Sequence, residues 1–224
     1  MGLLGTSLAL DLKKKGDEII GIEKSIENIE ALKTHGFSKI FQNDDDAFIP
    51  ELKNCDGIII GTPIDQVIPI LEKISTYDLP ESIWITDMAS TKGELMRKVN
   101  EYLIEKKCRC NFIGSHPMAG SDQSGPLHAR QDLFTNATIY VTPMSNLENS
   151  SGNESGNENL KNQVCDFWKG VGARPYVIDS EIHDKWAAYL SHGLHLVSCM
   201  VSHLLEDIPE VYKLESPPAG GSFK

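Results

Sequence analysis

The strongest constraint on the fold is a regular alternation of short apolar segments with amphipathic ones. The apolar segments are rich in β-branched residues and are predicted to be strands, at 18–24, 56–63, 82–90, 137–143 and 174–179, and a shorter apolar run at 112–113, which stops at Gly114, is also predicted to belong to a strand. Helical patterns fill most of the intervals between them. Buried strands that alternate with helices predict an α/β fold of Rossmann type, with a mostly parallel sheet covered on both faces.

Local signals mark several helix boundaries. The first helix is expected to end at Gly16, and the second to run from the N-cap Ser25 to Gly36. Pro69 is expected to kink or shorten the start of the helix over 64–75, because proline lacks an amide hydrogen.

The chain changes character in two places. Residues 145–160 are nearly all Ser, Asn, Gly and Glu, so we predict a disordered surface insertion. Apolar residues then recur at three- and four-residue steps from Trp186 to Leu204, which indicates one helical stripe. We therefore expect a dinucleotide-binding domain over 1–180 and the start of a helical domain over 181–224.

Composition narrows the function. Acidic residues outnumber basic ones by 32 to 21, a net charge of −11 that argues against binding to nucleic acid. The five cysteines are few, odd in number and dispersed, which favours a reducing cytoplasm over a disulfide framework. The pair at Cys108 and Cys110 lacks the partners of a zinc site, so no metal is expected. No apolar run approaches the length of a membrane span, and no membrane contact is expected.

A glycine motif at the start of the chain suggests a phosphate-binding turn. Gly2, Leu4 and Gly5 belong to the second half of a G-x-G-x-x-G pattern, whose first glycine and strand would precede Met1. The first strand of the sheet is therefore expected to be missing from this chain. The alternative is a helix start with tolerated glycines.

Glu23 strengthens the dinucleotide interpretation. It ends the next predicted strand, eighteen residues after Gly5, where an acid can bind a ribose 2′-hydroxyl. Its charge would repel a 2′-phosphate, so NAD is favoured over NADP, although Lys24 beside it weakens that preference.

His116 is the candidate for proton transfer. It follows an apolar run in "FIGSHPMAG", and Gly114, Pro117 and Gly120 give the segment a defined shape. We expect His116 on a rigid loop past the strand, where an imidazole can accept a proton near neutral pH. The alternative is a structural loop histidine.

Several segments, in order, resemble prephenate and arogenate dehydrogenases: "GLLGTSLA", "GTPID", "TDMASTKGE", "GSHPMAGSDQSG", "LFTNATIYVTP", "SHGLH" and "AGGSFK". The resemblance implies an N-terminal Rossmann domain that binds NAD or NADP and a helical C-terminal domain that forms a homodimer. It implies hydride transfer from the carbon bearing the 4-hydroxyl of prephenate or arogenate. Loss of carbon dioxide then yields 4-hydroxyphenylpyruvate or tyrosine, in tyrosine biosynthesis.

The resemblance also assigns roles to single residues. His116 matches the family's catalytic histidine, and Ser90 matches a serine that hydrogen-bonds that histidine and the substrate. For Ser90 the alternative is a helix N-cap with Glu94 downstream. Thr62 and Pro63 match the turn on the cofactor side.

The substrate side is assigned in the same way. Ser121 and Asp122 match polar loop residues, although the family more often has Glu where this chain has Asp122. Ser191, His192 and His195 lie in "SHGLH" and would line the substrate pocket. Leu194 replaces the family's usual proline there, so a straighter helix is expected.

Two other functions stay open. A β-hydroxyacid dehydrogenase of the same superfamily would need a lysine in the helical domain, and Lys185, Lys213 and Lys224 lie in no convincing context. A catalytically inactive or regulatory nucleotide-binding module is the second alternative. It gains weight because the family's substrate-binding arginine would lie beyond Lys224, so we expect this chain to be inactive by itself.

Overall fold

Strands and helices alternate along the described residues, 1–106, 108, 110–144 and 154–206, of the computed structural model. The strands are β1 Ile20–Glu23, β2 Lys39–Gln42, β3 Gly57–Ile60, β4 Trp84–Asp87, β5 Asn111–Pro117, β6 Thr138–Thr142 and β7 Arg174–Val177. The α-helices are α1 Leu3–Lys15, α2 Ile26–Thr34, α3 Ile49–Leu52, α4 Val67–Ser75, α5 Gly93–Lys106, α6 Glu154–Gly170, α7 Ser180–Ala187 and α8 Gly193–Glu206.

The strands form two sheets. Five of them pair in the order β3-β4-β5-β6-β7, and every pair except β5 with β6 is parallel. Strands β1 and β2 pair in parallel as a separate two-stranded sheet. Among the described strands, none pairs with both β1 and β3. The predicted α/β class with a mostly parallel sheet is confirmed.

The helix boundaries follow the local signals. Gly16 adopts a left-handed conformation with φ of +95° directly after α1, which a residue with a side chain rarely adopts. The side chain of Ser25 accepts a hydrogen bond from the Asn28 amide and caps α2. Pro69 lies in the first turn of α4, where a missing amide hydrogen breaks no helical bond, and a 3₁₀ turn over Ile64–Gln66 precedes it.

Helices cover the five-stranded sheet on both faces, and neighbouring residues of β5 show how. Phe112 packs in a cluster with Val67 and Leu71 of α4 and Val99 of α5. Ile113 points to the opposite face and packs in a second cluster that includes Trp168 of α6. This alternation is the two-residue period of a strand buried on both sides.

Strand β5 extends further than the sequence predicts. Residues Asn111 to Ile113 pair in parallel with β4, whereas Gly114 to Pro117 pair antiparallel with β6. The expectation that His116 lies on a loop is therefore wrong, because β6 supplies hydrogen bonds that continue the strand through this residue.

The prediction of a disordered insertion over 145–160 is wrong for its last part. Residues 154–160 form the first turns of α6, whereas 145–153 lie outside the described residues. The polar turns continue a helix whose later residues, including Val164 and Trp168, are anchored in the core. Helix propagation costs far less than nucleation, so packing at one end sustains polar turns at the other.

The segment after β7 is helical. Asp179 caps α7 by accepting hydrogen bonds from the amides of Glu181 and Ile182, at 2.9 and 3.0 Å. A π-helical segment, Ala188–His192, joins α7 to α8. Within the part of the chain that the structure describes, no helix has the length and apolar character needed to cross a membrane.

The predicted apolar stripe of this segment faces outward. Leu194 and Leu204 expose 62% and 66% of their surface. The other members are also exposed, by 36% to 63% of their surface: Trp186, Leu190, Val197 and Val201. A contiguous exposed apolar face of this kind is typical of an interaction surface.

Candidate active site

A buried ion pair organises the end of β4. Asp87 and Lys92 are both fully buried, and the ammonium group of Lys92 contacts Oδ2 of Asp87. Oδ2 also accepts a hydrogen bond from the Ala89 amide at 2.9 Å, and Oδ1 accepts one from the Ser115 amide at 3.1 Å. Burial lowers the pKa of Lys92, although the charge of Asp87 opposes this shift. One carboxylate thus holds the turn after β4 against β5.

His116 lies next to this ion pair and contacts a second histidine. Its Nδ1 lies 2.9 Å from Nε2 of His183 in α7, and the two rings meet edge to face. Nδ1 of His183 in turn lies 2.8 Å from Oδ1 of Asp184. The Tyr140 ring packs beside both histidines, with centroid separations of 6.4 Å to His116 and 5.2 Å to His183.

Asp184 also binds the start of α5. Its Oδ1 accepts a hydrogen bond from the Lys92 amide at 2.7 Å, and its Oδ2 accepts one from the Gly93 amide at 2.8 Å. Burial opposes ionisation, but the hydrogen bonds from Lys92, His183 and Gly93 outweigh it and lower the pKa of Asp184. The carboxylate therefore caps α5 from a different helix.

The environment keeps His116 unprotonated at neutral pH. Burial, followed by the nearby charges of His183, Lys92 and His192, lowers the pKa of His116 to about 3, while Asp184 opposes the shift. A proton acceptor must carry a free lone pair before the reaction begins, and this ring does.

A cleft of about 280 Å³ includes Met88, the residue that follows Asp87, in its lining. Its lining comes from the start of α1, the end of β3, the end of β4 and the loop after β5: Gly2, Leu3, Leu4, Gly5, Gly61, Thr62, Met88, Gln123, Ser124 and Gly125. Such a crevice at the carboxyl ends of parallel strands is where nucleotide ligands bind in Rossmann folds. Met88, which lines the cleft, directly follows Asp87. Asp87 also binds the amide of Ser115, the residue before His116, so this one carboxylate connects the cleft to the strand that carries His116.

The start of α1 can accommodate a phosphate group. No side chain caps its N-terminus and no acidic residue lies in its first turn. A Cβ atom at Gly2 would meet nothing within 4 Å, and one at Gly5 nothing nearer than 3.8 Å. Packing within the described protein thus requires neither glycine, whereas close approach of a phosphate to the amides would explain both.

The loop after β5 is fixed against α1 and α2. Ser7 accepts a hydrogen bond from the Arg130 amide at 3.1 Å, and Asp11 accepts one from the Asp132 amide at 2.7 Å. Nε2 of His35 lies 2.9 Å from the Pro126 carbonyl oxygen. These contacts give the cleft a defined wall.

The predicted cofactor residues divide into two groups. Gly2, Leu4, Gly5 and Thr62 line the cleft, whereas Pro63 and Glu23 do not. Oε1 of Glu23 accepts hydrogen bonds from the backbone amides of the next two residues at 2.8 and 2.9 Å, and Oε2 contacts the Met1 nitrogen.

Ser90 is exposed and, among the described residues, its hydroxyl has no hydrogen-bond partner. The structure therefore does not join it to His116. It does not support the capping alternative either, since Asp184 takes the amides of Lys92 and Gly93 where α5 begins.

The predicted substrate residues are also spread out. The hydroxyl of Ser121 donates to Asp122 at 2.9 Å, and both residues are exposed on the loop after β5. Ser191 and His192 belong to the π-helical segment, and His192 lies near enough to influence the pKa of His116. His195 is exposed, with Nε2 3.8 Å from the thiol of Cys199.

Sequence reasoning missed three residues of this site: His183, Asp184 and, as a buried charge, Lys92. The sequence signal for His183 and Asp184 was that these two polar residues are adjacent and lie near the start of the predicted helical domain. Lys92 is part of the motif "TDMASTKGE". Among the described residues, no cluster of His, Cys, Asp and Glu could hold a metal ion.

Known proteins match most or all of this chain. The protein-family model described as "Prephenate dehydrogenase, nucleotide-binding domain" matches residues 8–177. The prephenate dehydrogenase of Bacillus subtilis is 32% identical over the whole chain, which spans 57% of that relative's length.

Solved structures share the fold. Prephenate dehydrogenase from Aquifex aeolicus, in complex with hydroxyphenyl propionate and NAD⁺, superposes with a TM-score of 0.76 at 24% identity, over 99% of this chain and 73% of that one. Synechocystis arogenate dehydrogenase superposes with a TM-score of 0.70 at 26% identity, over 91% of this chain and 66% of that one.

Proposed function

The chain belongs to the prephenate dehydrogenase family, and on that premise we propose that it binds NAD and takes part in the oxidative decarboxylation of prephenate. The observation that carries the proposal is the buried pair of His116 and His183, 2.9 Å apart, on the strand whose Ser115 is bound by Asp87, the residue before Met88 of the glycine-lined cleft. Arogenate is the alternative substrate, because nothing among the described residues separates a keto from an amino side chain.

The cleft is the proposed cofactor site. The free amides at the start of α1 would hold the pyrophosphate, with Gly2 and Gly5 allowing close approach. Glu23 would select NAD over NADP through charge repulsion. The complex of the Aquifex aeolicus relative with NAD⁺ supports this choice. When bound, the nicotinamide would accept a hydride from the substrate.

His116 is the proposed proton acceptor. Removal of a hydride from a carbinol carbon leaves an oxygen that must lose its proton, and a neutral imidazole can take it. Loss of carbon dioxide then makes the ring aromatic. Ser90 is proposed to assist His116 once substrate is bound, while Ser121, Asp122, Ser191, His192 and His195 are proposed to face the substrate.

The exposed stripe on α7 and α8 supports a homodimer. A second copy of the chain would cover Leu194, Val197 and Leu204. This is the arrangement that the family resemblance implies, in which the helical domain, here 181–224, forms the dimer. The unpaired cysteines Cys55, Cys108, Cys110, Cys165 and Cys199 are in keeping with a reducing cytoplasm.

The test is the variant His116→Asn, with turnover of prephenate and NAD measured. It is made in the 224-residue chain and in any longer form that the flanking coding sequence encodes. We expect kcat to fall by on the order of 10²–10⁴ while NAD binding is unchanged. The exposed His128→Asn serves as the matched control.

Other outcomes identify the rival functions. Wild-type kcat in His116→Asn would remove this histidine from the mechanism. Binding of NAD without turnover in any form of the chain would favour a regulatory nucleotide-binding module. Oxidation of a β-hydroxyacid instead of prephenate would favour the related dehydrogenases.

A further inference from the structure

Three side chains lie in one line that leads away from the proposed proton acceptor. Nδ1 of His116 lies 2.9 Å from Nε2 of His183, and Nδ1 of His183 lies 2.8 Å from Oδ1 of Asp184. His183 is fully buried and His116 exposes only 8% of its surface. Water therefore has little access to the inner nitrogens, and each must find its partner within this line.

The positions of the hydrogens on the ring nitrogens can be deduced by starting from Asp184. Asp184 accepts hydrogen bonds from the amides of Lys92 and Gly93, as an ionised carboxylate does. It can offer no hydrogen to His183, so Nδ1 of His183 must donate. In a neutral His183 ring, Nε2 then carries a lone pair, and Nδ1 of His116 must donate to it. Nε2 of His116 is left without a hydrogen.

We propose that His183 and Asp184 are positioning residues that fix His116 in the tautomer with a free lone pair on Nε2. This inference rests on the proposed function, because it assigns Nε2 as the atom that receives the substrate's proton. A neutral histidine has two tautomers, and only this one can accept at the nitrogen that points away from His183.

The line also gives the accepted proton a path. When the substrate hydroxyl transfers its proton to Nε2 of His116, the hydrogen on Nδ1 can pass to Nε2 of His183. One proton arrives and one moves on, so His116 stays neutral and the positive charge lies on His183, against the carboxylate of Asp184. The hydride leaves separately with its two electrons. A carboxylate that orients a histidine and stabilises its cation is the arrangement of hydrolase triads, here extended by one ring.

The contacts of Asp184 add a structural consequence. The same carboxylate that orients His183 also caps α5, so the orientation of the histidines is tied to the turn that contains Asp87 and Lys92. A role in capping alone would predict lost stability without any change in the His116 tautomer.

The test is nitrogen NMR of the histidine rings in the 224-residue chain labelled with ¹⁵N-histidine, which reports each tautomer without substrate or turnover. We expect a neutral His116 ring with hydrogen on Nδ1. In His183→Phe, which keeps a ring but removes both nitrogens, we expect that preference to be lost. The exposed His128→Phe is the matched control and should leave the His116 signals unchanged.

Kinetics on a catalytically competent form completes the test. His183→Phe should lower kcat by on the order of 10²-fold, with NAD affinity unchanged, as for other lost acid–base contributions. Hydrogen on Nε2 of His116 in the unmodified protein would overturn the inference, as would wild-type kcat in His183→Phe. Neither result depends on whether His116→Asn is active, so this inference and the proposed function can fail separately. Since the NMR measurement on the unmodified chain needs no variant, a folding defect in His183→Phe leaves the test intact.

Discussion

Asp87 and Lys92 form an ion pair in which neither side chain reaches solvent, and the carboxylate also binds the backbone of Ala89 and Ser115. The pair thereby joins β4, the turn that follows it and β5 directly below His116. Burial of a charge is costly. It is tolerated here because the two opposite charges are in contact and the carboxylate also accepts hydrogen bonds from two backbone amides.

Removal of one partner should therefore be severe. We expect Lys92→Met to lower the free energy of unfolding by about 3–5 kcal/mol, because the Asp87 charge is then left buried without a counterion. Urea denaturation measures the change. The control is Arg97→Met, which breaks the exposed pair with Glu101 and should leave stability nearly unchanged. Equal effects of the two variants would contradict the assignment of a compensated buried charge.

Stability should depend on pH through His116. Its pKa is about 3 in the folded chain, against 6.5 for an unperturbed histidine. The unfolded chain therefore binds a proton that the folded chain does not, and stability falls as the pH falls from 6.5 towards 3. The slope is about 1.4 kcal/mol per pH unit for one group, so His116 should account for up to about 2 kcal/mol lost between pH 7 and pH 5.

The measurement is urea denaturation at a series of pH values for the wild type and His116→Asn. The variant should show the shallower dependence, whereas His128→Asn, which alters an exposed histidine, should follow the wild type. Parallel curves for wild type and His116→Asn would mean that His116 titrates normally in the folded protein.

Cofactor choice should depend on Glu23. Replacement by serine removes the carboxylate, so we expect weaker binding of NAD and stronger binding of NADP, with Lys24 available to a 2′-phosphate. Titration calorimetry with both nucleotides checks this. Glu27→Ser removes an exposed carboxylate in the first turn of α2 and is the control. Equal affinities for the two nucleotides in the unmutated protein would disprove the assignment.

Substitution of Gly5 at the start of α1 should raise the stability of the protein and weaken its binding of NAD. Gly5 lies in α1, and a Cβ there would meet no atom nearer than 3.8 Å, so Gly5→Ala should stabilise the helix by up to about 1 kcal/mol. The same methyl group should obstruct the phosphate and raise the Kd for NAD about tenfold, equivalent to roughly 1.4 kcal/mol. Thermal melting and calorimetry separate the two effects. Unchanged NAD binding would move the cofactor away from this turn.

The exposed apolar stripe should drive self-association. Sedimentation of the wild-type chain is expected to show a dimer, and Val197→Lys with Leu204→Lys is expected to yield a monomer, since both side chains are exposed in one copy. Lys98→Glu on α5 changes charge elsewhere and should leave the dimer intact. A monomeric wild type would refute this interface.

Much of the fold could be predicted because its signals are local. Ser25 and Gly16 mark helix ends by their own chemistry, and the apolar runs mark buried strands wherever they stand. Strand β2 was not predicted, because Lys39 and Gln42 at its ends are polar and it becomes a strand only by pairing with β1. The pairing of β5 with β6 beyond Gly114 depends on the same kind of distant partner.

The site was predictable in part for the same reason. His116 stood out through its neighbours in the sequence, whereas His183 is 67 residues away and becomes relevant only when α7 packs against the sheet. Lys92 was visible as a residue but not as a buried charge, since burial depends on all the elements around it. No local pattern records that Asp184 of one helix caps another.

The change of partner along β5 bears on the order in which the protein folds. Its first half needs β4, which precedes it, but the half that carries His116 needs β6, which follows it in the chain. During synthesis His116 therefore leaves the ribosome before the strand that holds it. Pairing between distant segments forms slowly because loop closure must come first. We expect the pulse-labelled amides of Gly114 and His116 to gain protection from exchange together with those of β6, after the parallel strands β3 and β4 are already protected.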